Sequence, residues 1–248
     1  MPVLNILKSI FDRITGQKTA GGLNKNERRY FNRYSINNPK ICALNHAERG
    51  KFQVANLSYQ GALVESLLGS SLNELAVPIT VELDACGISA KFRVFKIEPR
   101  DVGWVVHFEH SGEGSIQSLG AFVEPVRCGN SAVSMPTDPS KALLPGMTRV
   151  RFFGDGPFDI LIEKKETGEI TFIMATIRRG AEYGSLTWSH GQLQTQKNVD
   201  SEGVSSRMSQ TQDIDRKLVS SCALACLGLN FPEGPACAKV LSEAITSR

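Results

Sequence analysis

This sequence predicts a mainly β protein, with a six-stranded antiparallel barrel and a closing helix in its first half and a small α+β unit in its second. Three observations carry that expectation. Between residues 41 and 108 lie six short runs of alternating or β-branched character, each bounded by turn residues. A stretch of helical period comes directly after the last of them. A break rich in Ser, Pro, Thr and Gly then separates these runs from a second set of strand patterns that ends in two helical ones.

The elements are taken in chain order. Residues 2–15 space their apolar side chains as an amphipathic helix does, and 16–26, polar and glycine-bearing, read as a flexible linker. The barrel domain is expected over 27–128, with strands at 41–44, 52–55, 61–65, 79–83, 90–97 and 102–108. Its closing helix, 113–126, turns Ile116, Leu119, Ala121, Phe122 and Val123 inward. Residues 129–140 have the composition of a linker. The α+β domain, 141–248, is expected to carry strands at 149–153, 158–163, 170–177 and 185–188. A polar, serine-rich segment at 199–212 and helices at 213–226 and 235–245 complete it.

Composition narrows the function. With 41% apolar residues in 248, the chain can bury a sizeable core. Its 28 basic and 25 acidic residues nearly balance, whereas a nucleic-acid polymer calls for a basic excess on one face, so any anion site must be local. No apolar run reaches the ~18 residues of a spanning helix, and 1–16 lacks the features of a signal peptide. A cytoplasmic protein without membrane association is expected.

Catalytic and metal chemistry find little footing. Cys42, Cys86, Cys128, Cys222, Cys226 and Cys237 form no Cys-x-x-Cys pair and no zinc spacing with histidine, so they read as small buried residues. His46, His107, His110 and His190 are scattered, and Asp155 and Asp159 flank Gly156-Pro157 as loop residues would. No nucleophile-elbow, Walker or dinucleotide fingerprint is present. Neither an enzyme nor a bound cofactor or metal is expected.

Two motifs stand out. Arg29-Tyr-Phe-Asn-Arg33, preceded by Arg28, closes the linker just before the first strand. Asn56-Leu-Ser58-Tyr-Gln-Gly61 joins the second strand to the third. A plain reading exists for each: a solvated basic stretch beside Glu27, and ordinary Asn/Ser/Gly turn chemistry. Trp104 reads more readily as core than as a base-stacking platform.

Together the motifs resemble the Arg-x-x-x-Arg and Asp/Asn-x-Ser-x-x-Gly signatures of the PilZ family, over roughly residues 27–125. The late run Val102-Gly-Trp-Val-Val-His-Phe108 resembles that family's final strand. The resemblance implies a six-stranded barrel followed by a helix, and a bacterial receptor for cyclic di-GMP that signals to a protein partner. The site it implies comprises Arg28, Arg29, Arg33, Asn56, Ser58 and Gly61.

The residue types suit that ligand. Arginine forks bind phosphate oxygens and guanine edges, and their planes stack on bases. Asn56 and Ser58 would offer short polar groups at the barrel surface, and Gly61 a tight turn. Arg28 in its place implies two stacked ligand molecules per protomer. The partner would be engaged through 141–248, and a homodimer is compatible with this picture. The alternative is a PilZ-fold scaffold that binds no nucleotide.

Overall fold

The alternating runs of the first half close into a barrel. β2 (Cys42–His46), β3 (Gly50–Ser58), β4 (Gly61–Ser66), β5 (Ile79–Ala85), β6 (Ile88–Arg100) and β7 (Gly103–Phe108) are antiparallel. They run β3-β2-β5-β6-β7-β4, and β4 returns to β3. A short β1 (Tyr34–Ser35) adds to β3. The computed structural model describes residues 32–37, 41–66, 72, 76–110, 113–136, 146–156, 158–179, 182–198, 209–210 and 213–246. The expected helix at 2–15 and linker at 16–26 fall outside these residues. Residues Arg33–Arg248 cluster as one unit.

Inside the barrel, Leu44, Phe52, Val54, Leu57, Leu83, Val94, Val106 and Phe108 are buried. Phe92 stacks on Phe108 at 5.0 Å between ring centroids. Trp104 meets Phe52 edge-on at 6.0 Å and packs against the core, which is the plain role foreseen for it.

Two bulges break the alternation. Ala55 is an extra residue between Val54, opposite Val64, and Asn56, opposite Leu63. Phe95 is the extra residue between Val94, opposite Phe108, and Lys96, opposite His107. A strand's side-chain period is two, so each inserted residue inverts the facing of the residues after it. Without the bulge at Ala55, Asn56 would point into the barrel with Val54. With it, Leu57 points in, and Asn56 and Ser58 point out.

α1 (Glu113–Asn130) comes after β7 and continues past Pro125. Leu119, Phe122 and Val123 are buried as expected, whereas Ala121, expected inward, is exposed, because it falls outside the stripe that Leu119, Phe122 and Val126 make at helical spacing. The stretch read as a linker, 129–140, holds the end of α1 and a short strand, β8 (Val133–Met135), in its described part. From β8 an antiparallel sheet continues through β9 (Met147–Gly154), β10 (Phe158–Lys165), β11 (Ile170–Arg179), β12 (Glu182–Ser189), β13 (Gln192–Asn198) and β14 (Ser209–Gln210) in sequence order. Its inner face contributes Phe152, Phe158, Ile160, Ile162, Ile173, Ile177, Leu186 and Leu193 to the core.

α2 (Arg216–Gly228) lies deepest of the helices, with every residue from Leu218 to Gly228 buried. Asp215 caps it, its carboxylate accepting from the Leu218 N–H at 3.1 Å. α3 (Glu233–Thr246) buries only one stripe, Gly234, Cys237, Ala238, Leu241 and Ile245. At Gly129 the helices α1 and α2 approach so closely that an added Cβ would lie 1.9 Å from the Ala225 carbonyl oxygen. One hydrophobic cluster therefore runs from the barrel through the helices into the second sheet. All six cysteines are buried within it, and none forms a disulfide. Among the described residues, no helix is long and apolar enough to cross a membrane.

Candidate functional site

The two bulges aim polar residues onto one outer face of the barrel. Strand register sets them in rows. Ser58 lies opposite Gly61, Gly61 opposite His107, and His107 opposite Lys96. In the next row Asn56 lies opposite Leu63, Leu63 opposite Val105, and Val105 opposite Glu98. Ser35 pairs with Asn56 and Tyr34 with Leu57, so Arg33 arrives beside Ser58. Of the six residues implied by the motifs, this face gathers Arg33, Asn56, Ser58 and Gly61. Arg28 and Arg29 lie outside the described residues.

Each residue does something different. Asn56 Oδ1 is buried and has no hydrogen-bond partner. A buried acceptor left unpaired costs about 1–3 kcal/mol, and such atoms are uncommon in folded proteins. Ser58 is only 4% exposed, so it is not the surface group the motif suggested. Its hydroxyl is committed to the β3–β4 turn, donating to the Gly61 carbonyl at 3.1 Å and accepting from the Gln60 N–H at 3.2 Å. Gly61 is demanded by the barrel itself, since a Cβ there would lie 1.9 Å from the Val106 carbonyl oxygen. The turn's Tyr59 donates to Glu124 Oε1 on α1 at 2.7 Å, and Arg127 Nε donates to the other oxygen at 2.9 Å.

Arg33 is held in register by Asn130, the last residue of α1. Asn130 Oδ1 accepts from the Ser35 N–H at 3.0 Å. Its Nδ2 donates to the carbonyls of Ser35 at 2.9 Å, Val126 at 3.2 Å and Gly228 at 2.8 Å. Two residues on from Ser35, the Asn37 N–H donates to the Leu227 carbonyl at 2.8 Å. The exposed arginine is thus carried by a short segment tied to the ends of α1 and α2.

Charge on this face is mostly positive. Glu98 is approached by Lys96 Nζ at 2.5 Å, Arg100 at 2.6 Å and His107 Nε2 at 3.6 Å. The Lys96 hydrogen bond and the neighbouring positive charges hold the Glu98 carboxyl below the usual carboxylate range. Lys96 and Arg100 both engage the Glu98 carboxylate, and the charge of Arg33 also reaches His107 on this face. Sequence reasoning singled out neither Lys96 nor His107. The outward phase of the alternation in Gly103–Phe108 was the available signal, and the bulge at Phe95 hid its partner.

Asp159, read as a loop residue, stands in β10 and pairs with Arg151 of β9. Among the described residues no group of three or more His, Cys, Asp or Glu side chains could hold a metal ion.

A β-barrel joined through buried helices to an antiparallel sheet is the class of structure these elements define. No protein-family model matches the chain, and no curated protein matches it. Among solved structures, the chain is similar to the crystal structure of Legionella uncharacterized protein Lpg0364. The TM-score is 0.31 at 16% identity, covering 39% of this chain and 94% of that one.

Proposed function

We propose that this protein is a cytoplasmic receptor for cyclic di-GMP of the PilZ type, a binding module and not an enzyme. The observation that carries the reading is Asn56 Oδ1, a buried acceptor with no partner, aimed by a β-bulge onto the same face as Arg33. Guanine presents N–H donors along its Watson–Crick edge, and an amide oxygen accepts from them. Arg33 supplies a fork for a phosphodiester oxygen. The second sheet shares a core with the barrel and is the part that would pass ligand occupancy to a protein partner.

A second reading has specific support. The Ser58 hydroxyl and the missing Gly61 side chain are both accounted for by the barrel's own turn and seam. A scaffold that binds no nucleotide would need them equally. Calorimetric titration of the full chain with cyclic di-GMP separates the two. Binding by the wild type, weakened about 10- to 150-fold in Arg33→Ala and less in Asn56→Ala, supports the receptor. Absence of binding by the wild type establishes the scaffold reading instead.

A further inference from the structure

The row Ser58, Gly61, His107, Lys96 includes an imidazole that neither motif covers. His107 stands on the outward phase of β7, between the inward Val106 and Phe108. Its Nε2 is buried and has no hydrogen-bond partner. The nearest carboxylate, on Glu98, is 3.6 Å away, too far for a hydrogen bond.

The groups around it come from three directions. β6 presents Lys96, Glu98 and Arg100, and the Phe95 ring, 51% exposed, lies 6.0 Å from the imidazole. β4 presents Gly61 opposite it, and its charged residue, Glu65, lies four positions further along the outward phase. From the segment before β1, the charge of Arg33 reaches His107. Burial, with Lys96, Arg33 and Arg100 adding to it against Glu98, holds the imidazole below its usual range. This environment favours the neutral imidazole over the imidazolium.

A nitrogen with no hydrogen-bond partner, within reach of the charges of Lys96, Arg33 and Arg100, is suited to an anionic oxygen. We propose that His107 is a phosphate-contacting residue of this nucleotide site, acting with Lys96 opposite the wall formed by Arg33 and Asn56. Asn56 on β3 and His107 on β7 are separated by β4, so their strands lie roughly 10 Å apart. In the row of His107, β4 contributes Gly61 and so no side chain, while Leu63 stands in the row of Asn56. The proposal rests on the cyclic di-GMP reading above and adds a regulation to it.

The direction of that regulation is set by linkage. A phosphodiester oxygen beside Nε2 favours the imidazolium, so His107 titrates at higher pH in the complex than in the free protein. Between those two values the complex binds more protons than its separated parts. Affinity therefore rises as pH falls through that window and is level above it. Each unit of difference corresponds to about tenfold in affinity.

The test is calorimetry of the full chain with cyclic di-GMP from about pH 5.5 to about pH 8, the histidine range. Wild type is expected to bind several-fold tighter at the acid end. His107→Gln keeps a hydrogen-bonding group but cannot titrate, so it should bind more weakly and without this slope. The same slope in both proteins, or none in the wild type, overturns the role of His107 and leaves the receptor reading intact. No binding by the wild type at any pH sinks that reading, and this proposal with it. Should His107→Gln fold poorly, the imidazole resonance of wild-type His107 can be titrated by NMR with and without ligand. Coincident curves reject the contact.

Discussion

At the scale of single residues, the second motif divides by what each member is for. Gly61 and Ser58 build the barrel, whereas Asn56 faces outward with nothing to bond. This division predicts stability before it predicts binding. Gly61→Ala forces a Cβ to within 1.9 Å of the Val106 carbonyl oxygen. Backbone must give way along the β4–β7 seam, at about 3 kcal/mol or more. Ser58→Ala breaks the bonds to the Gly61 carbonyl and the Gln60 N–H and should cost about 1–2 kcal/mol. Asn56→Ala removes an unpaired buried acceptor and should unfold at the wild-type midpoint or slightly above it. Urea unfolding monitored by circular dichroism gives all three. A Gly61→Ala midpoint equal to wild type would refute the close-approach argument. The motif's membership was legible in the sequence, but this division of labour was not. It depends on a one-residue bulge at Ala55, and nothing in Val54-Ala-Asn56 marks where a strand takes an extra residue.

At the scale of elements, the segment that carries Arg33 depends on helices distant in sequence. Asn130 bonds both backbone groups of Ser35 while also joining Val126 and Gly228. Asn130→Ala removes these four bonds and leaves the Gly228 carbonyl short of a donor. The expected loss is about 2–3 kcal/mol of stability. Ligand affinity should also fall several-fold, because Arg33 is no longer held in register. His107→Gln, by contrast, should leave stability unchanged. Unaltered amide-exchange protection at Ser35 in Asn130→Ala would rule out the clamp.

Elements that bury an alternating stripe were readable: β6 alternates from Ile88 onward, and α3 shows a clear helical face. Those that differ from expectation lacked that stripe. β13, Gln-Leu-Gln-Thr-Gln-Lys-Asn198, is a polar run whose one large apolar residue is Leu193, buried along with Thr195. β8 sits in a Ser/Pro-rich stretch with each of its residues exposed. α1 runs on to Asn130 because Gly129 permits the crossing with α2, a long-range contact that the local sequence does not encode.

At the scale of the whole molecule, α2 decides how the protein unfolds. Eleven consecutive residues of this helix, Leu218–Gly228, are buried, touching α1 on one side and the second sheet on the other. The β5–β6 turn also reaches this helix layer, with Gly87 placed against Ile245 of α3 and Ser220 of α2. A core shared in this way makes the barrel interior continuous with the helices and the second sheet. The unit Arg33–Arg248 should therefore melt in one transition, with calorimetric and van't Hoff enthalpies in agreement. A fragment spanning 27–136 would keep all six barrel strands and α1. It would lose the α2 surface that α1 crosses at Gly129, and the Leu227 carbonyl that binds the N–H of Asn37. Such a fragment should retain β-type far-UV dichroism, lose its near-UV signal and melt without a sharp transition. A fragment that melts cooperatively at the full-length temperature would show that the barrel is an independent domain and that α2 merely rests on it.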